Sequence, residues 1–215
     1  MLSRSTNTVV PVVTIHANFG ATETSYVSGQ EIHGQGGWAD RIYEVVRGAV
    51  RSYKTLSDGR RQICAFYLPK EIFGWENGPT YRFTTEAIVD TTVRVVRRQN
   101  LEYVATTDVR VTRSLLSMTT TNLEHAENQM MLLGRKNSLE KVAAFLLEMD
   151  RRLSGSGVLA LPMTRRDIAD YLGLTVETVS RELSQLRASG TLKFAETSQR
   201  QIVLEDRQKL QRLNT

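Results

Sequence analysis

The chain of 215 residues has little of the chemistry that metal sites and disulfides are made from: one cysteine, Cys64, and three histidines, His16, His33 and His125. One thiol cannot close an internal disulfide or build a cysteine-cluster metal site. None of the histidines has a metal-like neighbour at helical or strand spacing, so all three read as satisfied or exposed imidazoles. Cys64 lies in the run "RQICAFYL" and reads as a buried, inert thiol. Long apolar runs are also missing: none approaches the roughly 20 residues of a membrane span, and the opening "MLSRSTNTVVPVVTIHANFG" lacks the ordered regions of a secretory signal. The expectation is a cytoplasmic protein with no membrane partner, no cofactor and no metal.

With 40% hydrophobic residues the chain can fill two ordinary cores. Its net charge of +5 is uneven: residues 1–150 hold 17 Lys and Arg against 16 Asp and Glu, whereas 151–215 hold 11 against 7. The basic excess sits in the last third, which points to an anionic partner there.

From about Tyr26 to Arg97 the sequence consists of short runs, "RIYEVV", "AVRSYKTL", "RQICAFYL" and "TVRVV", divided by turn formers. Many short strands between Gly turns predict an antiparallel roll or sandwich. "LSDGRR" predicts a hairpin, because Asp-Gly supplies the positive φ of a tight turn. Trp38 and Trp75 are expected to pack inside this roll.

The period then changes. Between Asp108 and Gly134 there is no proline or glycine, and apolar residues recur at helical spacing. Two stripes can be written on that helix. One runs Val111, Leu115, Met118, Asn122, His125, Gln129 and Leu132; the other runs Thr112, Leu116, Thr119, Leu123, Ala126, Met130 and Leu133. One face can pack on the roll and the other on a second copy. The polar Asn122, His125 and Gln129 favour the first stripe as a homodimer seam with a fixed register. The alternative is a core helix between two domains of one monomer. Next, "SLEKVAAFLLEMDRRL" predicts another amphipathic helix, with Ser138 as N-cap, closed by the loop Ser154 to Gly157.

"TRRDIADYLG" reads as a helix capped by Thr164 and closed by Gly173, and "TVETVSRELSQLRASG" as a second helix capped by Thr175 and closed by Gly190. Two helices joined by a short turn containing Gly form a helix-turn-helix. At about 100° per residue, Val176, Val179, Leu183 and Leu186 share the inner edge, while Glu177, Ser180, Arg181 and Ser184 share a polar face. That face suits base edges: Arg pairs with guanine, Glu accepts from cytosine N4, and Ser bonds either kind of group. Thr164, Arg165, Thr178 and Ser184 are placed for phosphates. The bland alternative is a surface ion pair between Glu177 and Arg181. "TLKF" and "QIVL" make a small hairpin beyond, where Lys193 and Arg200 either touch phosphate or are merely solvated.

These segments together resemble the cyclic-AMP receptor protein/FNR superfamily of bacterial transcription regulators over nearly the whole chain. "GRKNSLEKVAAFLLEM" further resembles its FixK branch. The resemblance implies an α+β fold: an N-terminal antiparallel β-roll over 1–107, a dimerisation helix over 108–134 and a winged helix-turn-helix over 135–215. It implies a homodimer on palindromic double-stranded DNA with TTGAT half-sites, in which Arg181 meets guanine, Glu177 the cytosine opposite and Ser180 a thymine. Val176 stands where the cyclic-AMP receptor has another base-reading arginine, so the site preference differs. RNA polymerase is the implied further partner, with the loop Ser57, Asp58, Gly59 and Arg60 as the matching contact; the same loop also reads simply as a tight turn.

The resemblance also carries effector expectations. FNR holds an iron–sulfur cluster through several cysteines, and Cys64 cannot supply four thiolates. In "FGWENGPTYRFTTEA", Trp75 stands where nucleotide binders have Glu, and Arg82 is followed by Phe83 rather than Ser. The expectation is an activator that needs no small-molecule effector, with an effector-gated sensor as the alternative. A cupin-like metal enzyme, the rival from another class, needs several His on neighbouring strands, and the roll has only His33.

Overall fold

The computed structural model describes residues 19–153, 155–195 and 198–214. His16 and Ser154 lie outside them. The predicted roll is present as two four-stranded antiparallel sheets. The first has the order β1 (Thr22–Tyr26), β8 (Thr91–Arg97), β3 (Arg41–Arg47), β6 (Ile72–Phe73), and the second β2 (Glu31–His33), β7 (Thr84–Ala87), β4 (Val50–Thr55), β5 (Arg61–Tyr67). Tyr43, Val45, Val50, Phe73, Val93 and Val95 are buried together between the sheets. The "LSDGRR" hairpin joins β4 to β5, with Thr55 opposite Arg61. Gly59 sits at φ 82°, which a side chain would strain.

His33 stacks on Tyr81 with ring centres 3.6 Å apart, and burial pushes its pKa down to about 4, so the ring is neutral at pH 7. Cys64 is half-buried, and burial raises its thiol pKa. Trp75 packs against the roll, but Trp38 does not: its backbone bridges Thr80 while the residue stays 76% exposed.

The roll ends in a helix that sequence reading did not find, α1 (Arg98–Thr107). It has no side-chain N-cap and no acidic residue in its first turn, so the usual start signals are missing; burial of Leu101 against Ile42 and Val96 holds it instead. Asp108 then caps the long α2 (Val109–Arg135), accepting from the Arg110 amide.

Within the protomer the two stripes of α2 are buried unequally. Leu115 and Leu132 are buried inside the protomer, Val111 and Met118 pack on the roll core, and Gln129 donates to the Tyr171 carbonyl at 2.9 Å. Of the proposed seam Val111, Leu115, Met118, Asn122, His125, Gln129 and Leu132, only Asn122 is exposed. All seven residues of the other stripe are exposed, including Leu116 at 67%, Leu123 at 58% and Met130 at 68%. The roll takes the first stripe because its own apolar edge needs covering, and the stripe one residue further on is left outward.

Helix α3 (Ser138–Leu153) matches the predicted segment, but its cap is Asn137 and not Ser138. Asn137 Oδ1 accepts from the Glu140 amide while the Glu140 carboxylate accepts from the Asn137 amide, each at 3.0 Å. Ser138 instead donates to Glu182 at 2.7 Å. There follow β9 (Val158–Ala160), α4 (Arg165–Leu172), α5 (Val176–Ala188), β10 (Leu192–Ala195), β11 (Ser198–Leu204) and α6 (Arg207–Leu213). The last three strands form an antiparallel sheet of order β10-β11-β9, the expected hairpin plus one strand. One core runs from Ile63, Phe66 and Leu68 of the roll through Phe145, Leu146 and Met149 to Ile168, Leu172 and Leu183. Each of these side chains contributes roughly 1.5–3 kcal/mol by burial, so the C-terminal unit is seated on the roll by apolar contact. Among the described residues, no helix is long and apolar enough to cross a membrane.

Candidate nucleic-acid interface

Local signals in the sequence set the two helices. Thr164 and Asp167 form a reciprocal capping box on α4: the Asp167 amide donates to Thr164 Oγ1, and the Thr164 amide donates back to the Asp167 carboxylate. Gly173 closes the helix in the left-handed conformation at φ 62°, turning the chain into α5 after two residues. Thr175 caps α5 by accepting from the Thr178 amide at 3.1 Å. Val179, Glu182, Leu183 and Leu186 are buried, while Val176 is only half-buried.

That seating leaves Glu177, Arg181 and Ser184 exposed and Ser180 half-buried. The Glu177–Arg181 surface pair is not formed. Arg181 reaches Glu182 at 2.9 Å, and that buried carboxylate also holds Ser138, so α5 is tied to α3. Only one Arg181 donor is used this way, and the side chain remains 67% exposed. Glu177 is held ionised: its own backbone N–H and the Thr175 hydroxyl lower its pKa, and Arg166 adds to this.

The phosphate candidates are engaged locally. The Thr164 hydroxyl donates to Asp167 at 2.7 Å, the Thr178 hydroxyl lies 3.1 Å from that of Thr175, and Ser184 donates to the Ser180 carbonyl at 2.8 Å. Arg165 donates to Ser180 Oγ at 3.1 Å, which links a phosphate candidate to a base-reading one. Its guanidinium also lies 5.7 Å from the centre of the Phe194 ring in β10, as does that of Arg187. Lys193 is committed to Glu205 within the hairpin. Two cations that sequence reading passed over, Arg166 and Arg187, thus border the face, and the doubled Arg of "TRRD" was the available signal.

A concavity of about 1000 Å³ opens between the roll and α2. Its lining includes His33, Cys64, Trp75, Arg82, His125 and Arg152. Arg82 is paired: its Nε donates to the buried Glu76 carboxylate at 2.6 Å, while its side chain stays 73% exposed. Burial works against the Arg152 charge, and the Glu71 and Glu148 carboxylates outweigh it. The loop Ser57 to Arg60 is exposed at the far tip of the β4–β5 hairpin, braced by an Asp58–Arg60 ion pair of 2.7 Å.

Comparison with known proteins agrees with this geometry. Residues 140–213 match the model of a Crp-like helix-turn-helix domain, and residues 23–108 that of a cyclic nucleotide-binding domain. The chain is 44% identical over 163 residues to the nitrogen fixation regulation protein FixK of Rhizobium meliloti (strain 1021), covering 76% of this chain and 74% of that one. It is 40% identical over 199 residues to the protein of the same name from Azorhizobium caulinodans, covering 90% and 79%. The structure of FixK2 from Bradyrhizobium japonicum superposes with a TM-score of 0.86 at 58% identity, over 91% of this chain and 98% of that one.

Proposed function

The chain belongs to the FixK group of the Crp/FNR family of transcription regulators, and we propose that it is a cytoplasmic homodimer activating transcription from TTGAT-N4-ATCAA palindromes without a small-molecule effector. It is a regulator with a DNA-binding helix-turn-helix and not an enzyme. The division carried forward is 1–107 for the roll, 108–134 for the dimerisation helix and 135–215 for the DNA-binding head.

The observation that carries the reading is the outward face of α5. Glu177 is exposed, ionised and an acceptor; Arg181 is exposed with most of its donors unused. In a major groove this pair accepts from cytosine N4 and donates to guanine O6 and N7, reading the two bases of one G·C pair, with Ser180 at a neighbouring thymine. Thr164, Arg165, Thr178 and Ser184 border it and supply phosphate contacts that set register, with Arg166 and Arg187 adding positive charge. Replacing Glu177 by Ala relaxes discrimination at its base pair by about 1–3 kcal/mol and leaves the oligomeric state alone. Equal half-site preferences in the variant and the wild type reject the assignment.

Dimerisation runs along the exposed stripe of α2, through Leu116, Leu123, Met130 and Leu133, in place of the stripe that the roll occupies. Polymerase contact falls to Ser57, Asp58, Gly59 and Arg60, whose exposure fits a docking loop. The Arg82–Glu76 pair supports independence from cyclic nucleotides, since the Glu76 carboxylate offsets the charge of the arginine in that segment. A second reading, a ligand-gated sensor, rests on the cavity of about 1000 Å³. It requires the ligand-free protein to bind palindrome and scrambled duplex alike.

A further inference from the structure

We propose that Arg51, Arg61 and Gln62 of the roll are specificity-determining residues that set the spacing between half-sites, by fixing how the DNA-reading head sits on its own roll. The inference rests on the dimeric, palindrome-reading function above.

These three side chains stand on the paired strands β4 and β5, and all reach α4. Arg51 Nη1 and Arg61 Nη2 each donate to Asp167 Oδ1 at 2.8 Å. Arg61 also grips Asp170 through Nε at 2.9 Å and Nη2 at 2.8 Å. Gln62 Nε2 donates to the Asp170 carbonyl at 2.8 Å. The other side of Arg51 is held by Glu86 of β7, so the network is anchored in the sheet and not on a loose side chain. Little of it meets water: side-chain exposure is 15% for Arg51, 2% for Asp167, 23% for Arg61 and 22% for Asp170.

The anchoring point matters. Asp167 is the third residue of α4 and also closes the capping box with Thr164. The roll therefore holds the very end of the helix that places Thr164 and Arg165 at the DNA. The apolar seat beneath, Phe66 against Phe145 and Tyr171, is non-directional and would tolerate small rotations of the head. Charge-assisted hydrogen bonds to two successive carboxylates on one helix face do not, because their strength depends on angle and distance.

Spacing is where such rigidity is read out. One added or removed base pair shifts the half-sites by about 3.4 Å and turns one against the other by roughly a tenth of a helical turn. Two heads clamped to their rolls meet only one such arrangement, whereas two loosely seated heads follow several. Base discrimination inside each half-site is untouched, since Glu177, Ser180 and Arg181 all stand on α5.

The experiment compares anisotropy titrations of the full-length wild type, Arg61→Gln/Asp170→Asn and Arg51→Gln on TTGAT duplexes with three, four or five intervening base pairs, and on a scrambled duplex and a half-site variant. In the double variant both members of an ion pair are neutralised and Asp167 keeps Arg51; in Arg51→Gln, Asp167 keeps Arg61. The double variant leaves no buried carboxylate without a cation, whereas Arg51→Gln takes the cation from Glu86, and melting curves of all three proteins check the fold. The expected result is a wild-type preference for the four-base-pair spacing of about tenfold or more, falling to within about threefold in the variants, with half-site preference unchanged. A spacing preference retained by both variants overturns the inference. So does a parallel loss of half-site preference, which would make the network a support of the head's own fold. Wild-type protein that reads the palindrome at every spacing overturns this inference alone; wild-type protein that does not distinguish palindrome from scramble overturns the function it rests on as well.

Discussion

Substituting Leu116 and Leu123 by Glu separates the two faces of α2 most sharply. In the protomer Leu116 is 67% exposed and Leu123 58%, and neither belongs to a buried core. Complete burial of a leucine is worth roughly 1.5–3 kcal/mol, so between half and two-thirds of that, about 1–2 kcal/mol each, is still to be gained on association. A two-fold axis doubles both contributions. Loss of the pair therefore weakens the dimer by up to roughly 4–8 kcal/mol, which is about three to six decades in Kd, before any repulsion between the new carboxylates. Sedimentation equilibrium at micromolar protein should show a folded monomer with wild-type helix content, because Glu is tolerated on an exposed helix face. The companion pair, Leu115→Glu with Met118→Glu, must behave differently. Leu115 is buried beside Phe19, Ile42 and Leu101, so a charge there damages the roll and lowers the melting temperature. A folded monomer from the Leu115/Met118 variant, together with an intact dimer from the Leu116/Leu123 variant, would refute the reasoning.

Two further outcomes are expected. His33 is protonated near pH 6.5 when unfolded but only near pH 4 in the stacked, buried setting, so its contribution is intact above 6.5 and is lost as pH falls through that window, by at most about 3 kcal/mol. Urea midpoints at fixed protein concentration should accordingly fall more steeply between pH 6.5 and 4 for wild type than for His33→Phe; parallel falls would contradict it. Replacing Asp58 and Arg60 by Ala should lower transcript yield in vitro while leaving DNA anisotropy unchanged, and unchanged transcription would reduce the loop to a tight turn.

Much of this molecule is written in local signals. Thr164, Asp167 and Gly173 announce the start and stop of α4, and Thr175 that of α5, because caps depend on a few adjacent residues. The same locality made the Asp-Gly hairpin readable. What stayed hidden depends on distant partners. Helix α1 has no cap and exists because Leu101 finds Ile42 and Val96 across the sheet. Which of two equivalent stripes on α2 faces the protomer's own core follows from the shape of the roll, which periodicity does not contain. Trp38 reads as roll packing from its residue type, and it lies 76% exposed instead. At the DNA face, the exposure of Glu177 and Arg181 follows from the helical wheel, but Arg181's link to Glu182 and Arg165's link to Ser180 come from tertiary placement. The hold of Arg51 and Arg61 on Asp167 spans more than a hundred residues, and no spacing rule reports it.

The central claim is that the protein alone reads its site. Fluorescence anisotropy of ligand-free protein with a TTGAT-N4-ATCAA duplex and a scrambled control, repeated across salt concentrations, tests it directly. The account predicts tight binding to the palindrome and weak binding to the scramble, with a gap that persists as salt weakens both. Weak and equal binding to the two duplexes would contradict it.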